Sequence, residues 1–233
     1  PSITMRLAQK LYEAGHITYM RTDSTNLSQQ ALGEMASVIK SQFGNNYHES
    51  HVFITKAKNA QEAHEAIRPT HASNLKAGNS TQEQKLYELI WRRAVASQMA
   101  DAVLARTSVT AVASEALVPE FKATGSRVIF DGWLKADPAA KGEDVILPQF
   151  TEGEKLNLKD LTALGKETEP PHRYTEAGLV KELEKRGIGR PSTYAAIIKT
   201  IVDRGYVEKE QRSLKPTETG EVVSTFLETH FAD

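Results

Sequence analysis

Between Leu104 and Leu161 the hydrophobic period of this chain is alternating, and on either side of that stretch it is helical. A chain laid out this way cannot fold as one helical bundle or one sheet. It must combine helical segments with an antiparallel β module, an α+β arrangement. The alternating runs are Thr107–Val112, Glu120–Ala123, Arg127–Phe130, Asp144–Leu147 and Lys155–Leu158, and each is expected to be a strand. Gly125, Gly132, Pro138, Gly142, Pro148 and Gly153 punctuate them. Glu169-Pro170-Pro171 follows as a stiff linker and the expected boundary of the module, because proline fixes its own φ and restricts the residue before it.

Upstream, Met5, Leu7, Ala8, Leu11 and Tyr12 recur at helical spacing until Gly15. His16–Arg21 then reads as a short strand, and a second helix follows Ser28, with Leu32, Met35, Ala36, Ile39 and Phe43 on one face and Gly44-Asn45-Asn46 as its stop. A short helix is expected from Ala60 to Ile67, ended by Pro69. Ser80 or Thr81 should cap a long helix reaching about Ala100, its apolar stripe made of Leu86, Leu89, Ile90, Ala94 and Val95. Downstream of the linker, Thr175 caps one helix, Gly187–Pro191 turns, Ser192 caps a second helix to Arg204, and a hairpin-like stretch and a last helix follow. This outline is a helix-turn-helix with a wing.

Length and composition narrow the function classes. The chain has 233 residues, 39% of them hydrophobic and 25% charged, which suits one large domain or two small ones with a real core and excludes disorder. No apolar run approaches the ~20 residues of a bilayer span, and no signal-peptide pattern is present. Zero cysteines exclude disulfides, thiol nucleophiles and cysteine-based metal sites. The net charge of −1 argues against a polyanionic partner for the chain as a whole, but from Lys181 to Lys215 basic residues outnumber acidic ones nine to five.

Three constellations could carry chemistry. In a strand, Tyr19, Arg21 and Asp23 would share a face while Thr18 and Met20 point inward. Such a face is either a half-exposed strand or a phenol nucleophile beside a guanidinium suited to phosphate. On a helix, His64 and Arg68 would share a face, one able to move protons and the other a fixed cation, or they are simply a solvated surface. His64-Glu65 fails the zinc-protease pattern for want of a second His, and His48 and His51 read as loop residues. Arg190, Ser192 and Thr193 sit at an expected helix N-terminus, where backbone N–H groups favour an anion.

The run Ile17–Ser28 resembles the active-site tyrosine segment of type IA DNA topoisomerases, Gln61–Pro69 resembles their second active-site segment, and Leu179–Ala195 resembles their most recognisable non-catalytic block. Met20 and Arg190–Thr193 are most similar to the bacterial topoisomerase I branch. The resemblance implies that Tyr19 attacks single-stranded DNA to form a 5′-phosphotyrosine, with Arg21 stabilising phosphate charge and His64 assisting. It also implies DNA or nucleotide contacts for Asp23, Arg68, Arg190, Ser192, Thr193 and Arg204. Relaxation of negative supercoils would need no ATP. Magnesium would be held by an N-terminal toprim domain outside this chain, which contains no Asp-x-Asp and is expected to have no metal site of its own. The resemblance thus describes an internal fragment, inactive alone, in three parts: a helical Tyr-bearing domain (1–104), a β-rich arch or hinge (105–172) and part of a helical DNA-binding domain (173–233). It further implies a monomeric, cytoplasmic, nucleoid-associated bacterial protein that acts on DNA and not on membranes. The rival reading is a non-catalytic winged-helix-like DNA-binding module.

Overall fold

Helix α1 (Ser2–Glu13) forms where the apolar spacing predicts it, burying Ala8 and Leu11, and stops at Gly15, whose φ of 74° is open to glycine at little cost. The computed structural model describes residues 1–53, 64–115 and 117–231. Helix α2 (Gln29–Gln42) begins after Ser28, whose Oγ accepts from the Ala31 N–H at 3.3 Å. Helix α3 (Thr81–Ala96) carries a variant of the capping box: Ser80 Oγ accepts from the Glu83 N–H, and the Glu83 carboxylate accepts from the Asn79 N–H at 2.8 Å. That arrangement explains why Glu83 is buried on an otherwise apolar face.

The inward face of α3 differs from the expected stripe. Tyr87, Trp91, Ala94 and Val95 are buried, while Leu89 is 46% exposed. The aromatic residues take the core positions because their polar ends find partners: Tyr87 donates to Asn74 O at 2.6 Å and Trp91 Nε1 to Ala72 O at 2.8 Å. Both bonds pin the segment before α3.

The chain divides into two compact units, residues 1–34, 52–94 and 170–233 in the first, and residues 35–51 and 95–169 in the second. The second contains an antiparallel pair, β1 (Val103–Ala111) and β2 (Phe121–Phe130), in one register from Leu104 opposite Val128 to Ala111 opposite Phe121, with a bulge between Leu104 and Val103, which lies opposite Phe130. The two runs expected around Gly125 are therefore one strand. Gly125 is an approach point within it, since a Cβ there would meet Val145 O at 2.6 Å. Val145 and Ser126 exchange both backbone hydrogen bonds, and among the described residues this isolated bridge is the only β pairing of the expected strand at 144–147. The run at 155–158 forms no strand, with Leu156 and Leu158 exposed, because alternation without a pairing partner has nothing to fold against. At the end of β2, the Tyr47 hydroxyl donates to Asp131 at 2.7 Å and packs on Phe130, with Lys135 over its ring. Gln98, 1% exposed, exchanges two hydrogen bonds with the His51 backbone and holds the 48–51 loop.

In the first unit, Thr175 caps α4 (Glu176–Lys185), and α5 (Tyr194–Asp203) follows the glycine turn. The N-cap of α5 is Thr193 rather than Ser192. The hairpin β3 (Val207–Glu210) and β4 (Ser213–Pro216) and helix α6 (Glu218–His230) complete the wing-like segment. Several of its cations are paired on the surface: Arg186 with Glu182, Lys209 with Glu176, Lys199 with Asp203, and Lys215 with both Glu208 and Glu210. The α+β class read from the sequence is the observed one.

Thr217 caps α6 through the Gly220 N–H at 3.1 Å, and a Cβ on Gly220 would enter the Tyr206 carbonyl oxygen. Gly220→Ala should therefore lower unfolding free energy by about 1–3 kcal/mol in a urea titration, although alanine is the better helix former. Equal or higher stability would show that this contact relaxes freely.

Candidate active site

Residues 16–18 do not form the expected strand. They run instead against residues 66–70: Thr18 N donates to Arg68 O at 2.9 Å and Thr70 N to His16 O at 3.0 Å, with Ile17 and Pro69 as an isolated antiparallel bridge. Strict alternation is broken because Ile17 and Met20 are both buried, at 2% and 4% exposure. Tyr19 and Arg21 still emerge on the surface, Tyr19 at 36% exposure.

Residues 64–66 are likewise not helical, and Ala60–Ala63 of the expected helix lie outside the described residues. The backbone donors of this segment go to the tyrosine segment rather than to a helix of their own. Ala66 N donates to Asn26 O at 2.8 Å and Arg68 N to Thr18 Oγ1 at 2.9 Å, while Thr18 Oγ1 donates to Ala66 O at 2.7 Å. Proline at 69 also disfavours the helical conformation at Arg68. His64 is brought beside Tyr19 by these bonds, the ring centroids 5.5 Å apart. Its Nδ1 is buried and makes no hydrogen bond among the described residues.

Arg68 has a different position from the one the helical spacing implies. Its guanidinium forms a two-point pair with Glu65 (Nε to Oε1 3.1 Å, Nη2 to Oε2 2.8 Å) and donates to the carbonyls of Pro69 and Thr70. The same Glu65 accepts from the Ser28 N–H at 2.6 Å. Burial is the largest influence on the Glu65 carboxyl and pushes its pKa up, but the bonds from Arg68 and Ser28 and the Arg68 charge together outweigh it and hold the pKa below the ordinary carboxylate value.

One cleft of about 550 Å³ gathers Tyr12, Tyr19, Arg21, Asp23, His64, Arg190, Pro191 and Ser192. Six of the site residues expected to act on DNA, Tyr19, Arg21, Asp23, His64, Arg190 and Ser192, thus meet from three distant stretches of sequence. Arg21 forms no ion pair among the described residues, which leaves a permanent cation facing the cleft. Arg68, Thr193 and Arg204 do not line it. Thr193 Oγ1 accepts from the Arg190 N–H at 2.9 Å and so fixes the turn that presents Arg190, while Arg204 is the exposed C-cap of α5. Burial raises the pKa of the Tyr194 phenol, the charges of Glu184 and Asp23 raise it further, and Arg190 opposes them. Tyr12 and Pro191 also line the cleft, although neither is among the residues expected to act on DNA. Tyr12 fits the apolar spacing of α1, and a rim position on a helix has the same period as a core position.

The arrangement suits an anion with a phenol presented to it: two guanidiniums, an imidazole and a hydroxyl around one space. It does not suit a resident divalent cation. Among the described residues Asp23 is the one carboxylate on the cleft, and no group of three His, Asp or Glu side chains that could hold a metal occurs among them. No helix among those residues is long and apolar enough to cross a membrane.

A family model described as DNA topoisomerase matches residues 1–233, and the chain belongs to that family. It is similar to the proteins named DNA topoisomerase 1 of Synechocystis sp., 47% identical over 99% of this chain, and of Pasteurella multocida, 50% identical over 98%. The chain spans 27% of the length of each. Among solved structures it resembles full-length topoisomerase I from Thermotoga maritima, with a TM-score of 0.82 and 38% identity over 98% of this chain and 39% of that one.

The Glu65–Arg68 pair is the support beneath the cleft that a single change removes most cleanly. Arg68→Ala should lower stability by about 2–4 kcal/mol near neutral pH, since Glu65 is left part-buried without its cation. Because the folded-state pKa of Glu65 is depressed, the pair's stabilisation is present above the ordinary carboxylate pKa and is lost as pH falls through the lowered one. The gap between wild type and Arg68→Ala in denaturant titrations should accordingly shrink below about pH 4. A gap that is unchanged with pH would assign the loss to packing alone.

Proposed function

We propose that this chain is the tyrosine-bearing part of a type IA DNA topoisomerase that relaxes negatively supercoiled DNA through a transient single-strand break. The observation that carries the reading is the cleft in which Tyr19 meets Arg21, His64 and Arg190. In the forward step the Tyr19 oxygen bonds to a backbone phosphorus and the P–O3′ bond breaks. The phenolic proton is lost and the departing 3′-oxygen gains one, so the step is neutral overall. The 3′-hydroxyl reverses it after another strand has passed, and the phosphotyrosine conserves the bond energy, so no ATP is required.

A free phenol has a pKa of about 10 and is a poor nucleophile at neutral pH. Guanidiniums facing the phosphate favour both the phenolate and the charge that develops at phosphorus, a contribution of about 3–4 kcal/mol for a well-placed donor. Arg21 and Arg190 are the candidates. His64 lies against the Tyr19 ring and is placed to contact the phosphate or assist proton movement, and Asp23 and Ser192 are placed to orient the strand. Arg68 acts by holding His64 in place, and Thr193 by holding Arg190.

Among the described residues the cleft offers one carboxylate, Asp23, so on this reading magnesium, where the reaction uses it, would be held by residues outside this chain. The full reading also takes residues 1–104, 105–172 and 173–233 as the tyrosine domain, an arch or hinge, and part of a DNA-binding domain of a monomeric, cytoplasmic bacterial enzyme. A DNA-binding module without catalysis would account for the segment from α4 to β4 and leave the Tyr19–His64 pairing without a role.

In the full-length protein, Tyr19→Phe should abolish the covalent adduct with a single-stranded oligonucleotide while binding changes less than about threefold. An adduct that survives would remove Tyr19 from the nucleophilic role. The 233-residue chain alone should leave supercoiled plasmid unrelaxed in magnesium on agarose gels, and robust relaxation would contradict its being an incomplete active site.

A further inference from the structure

Tyr12 sits on the last full turn of α1, lines the cleft and is 40% exposed. Its ring meets the Tyr19 ring at a centroid distance of 5.3 Å and an interplanar angle of 68°, an edge-to-face contact. In either version of that contact, edge of Tyr12 or edge of Tyr19, at least one face of Tyr12 remains clear of Tyr19. Its hydroxyl makes no hydrogen bond among the described residues, so the side chain is not held there as a polar tie. The buried positions of α1 are Ala8 and Leu11, and the helix does not need Tyr12 for its core.

An aromatic face beside a cluster of cations is the combination by which single strands are held, phosphate on the charges and base on the ring. We propose that Tyr12 is a stacking platform for the unpaired base of a nucleotide adjoining the phosphate that Tyr19 attacks. The inference rests on the proposed role of Tyr19 and adds to it a base subsite. Stacking selects an unstacked, single-stranded nucleotide over one held in a duplex and tolerates any base, since every base has a π-face. Edge contact with Tyr19 also couples the two functions: a base seated on Tyr12 fixes the ring that borders the nucleophile.

The test uses the full-length protein and single-stranded oligonucleotides in which an abasic unit is moved one position at a time across the cleaved bond. Tyr12→Leu should weaken adduct formation roughly 5- to 100-fold, and Tyr12→Phe, which keeps the ring, should stay within about twofold of wild type. At one position adjoining the cleaved bond, the abasic unit should cost wild type a similar factor and cost Tyr12→Leu little more. Full activity of Tyr12→Leu would overturn the platform. So would penalties that multiply at every position, because they would give Tyr12 a merely structural role; thermal melting of the variants separates that role from misfolding. If wild type itself forms no adduct through Tyr19, the proposed function fails first, and that result is distinct from a normal wild type with an indifferent Tyr12.

Discussion

The hydroxyl of Thr18 is the contact on which the rest of the cleft depends. It donates to Ala66 O and accepts from the Arg68 N–H, and with the backbone bonds on either side it locks two segments that are far apart in sequence. Tyr19 follows Thr18 directly, and His64 precedes Ala66 by two residues. A local clip of this kind, rather than any strand or helix, decides that the two rings meet. Such a clip also has to be supported from below. Glu65 does this by accepting from Ser28 at the start of α2 and from Arg68, so that the same carboxylate ties the helix to the loop.

The division of labour among the basic residues follows from the same geometry. Arg21 faces the cleft, Arg190 is presented there by a turn that Thr193 braces, and Arg68 is committed to Glu65 and two carbonyls. Three arginines that look alike in sequence thus have three environments. Elsewhere the excess of positive charge after Lys181 is moderated by surface pairs such as Arg186–Glu182 and Lys215–Glu210. Exposed pairs of this type contribute little stability and are easily exchanged for other partners.

Helices were legible where a cap, an apolar stripe or a glycine stop marks them: α1 stops at Gly15, α2 follows Ser28, and Thr175 caps α4, each close to where spacing and turn residues put it. The β pair was legible as a module but not in its details. Gly125 reads as a break between two runs, whereas it is the point within one strand where Val145 approaches too closely for a side chain. Tyr19, Arg21 and His64 were reachable as candidates through residue types and family resemblance. Their placement was not, because the strand and the helix expected there give way to long-range hydrogen bonds that leave no periodic trace. Tyr12 was hidden for the opposite reason, since its spacing is perfectly periodic and reads as core.

On the proposed reading Tyr19, and no other side chain, bonds to DNA. Trapping the protein–DNA adduct in the full-length protein, digesting both components and sequencing the nucleotide-bearing peptide by mass spectrometry tests it most directly. A phosphodiester on Tyr19, through the 5′-phosphate of the cleaved strand, is the expected result. A nucleotide found instead on the neighbouring Tyr12 phenol, or attached through a 3′-phosphate, would contradict it.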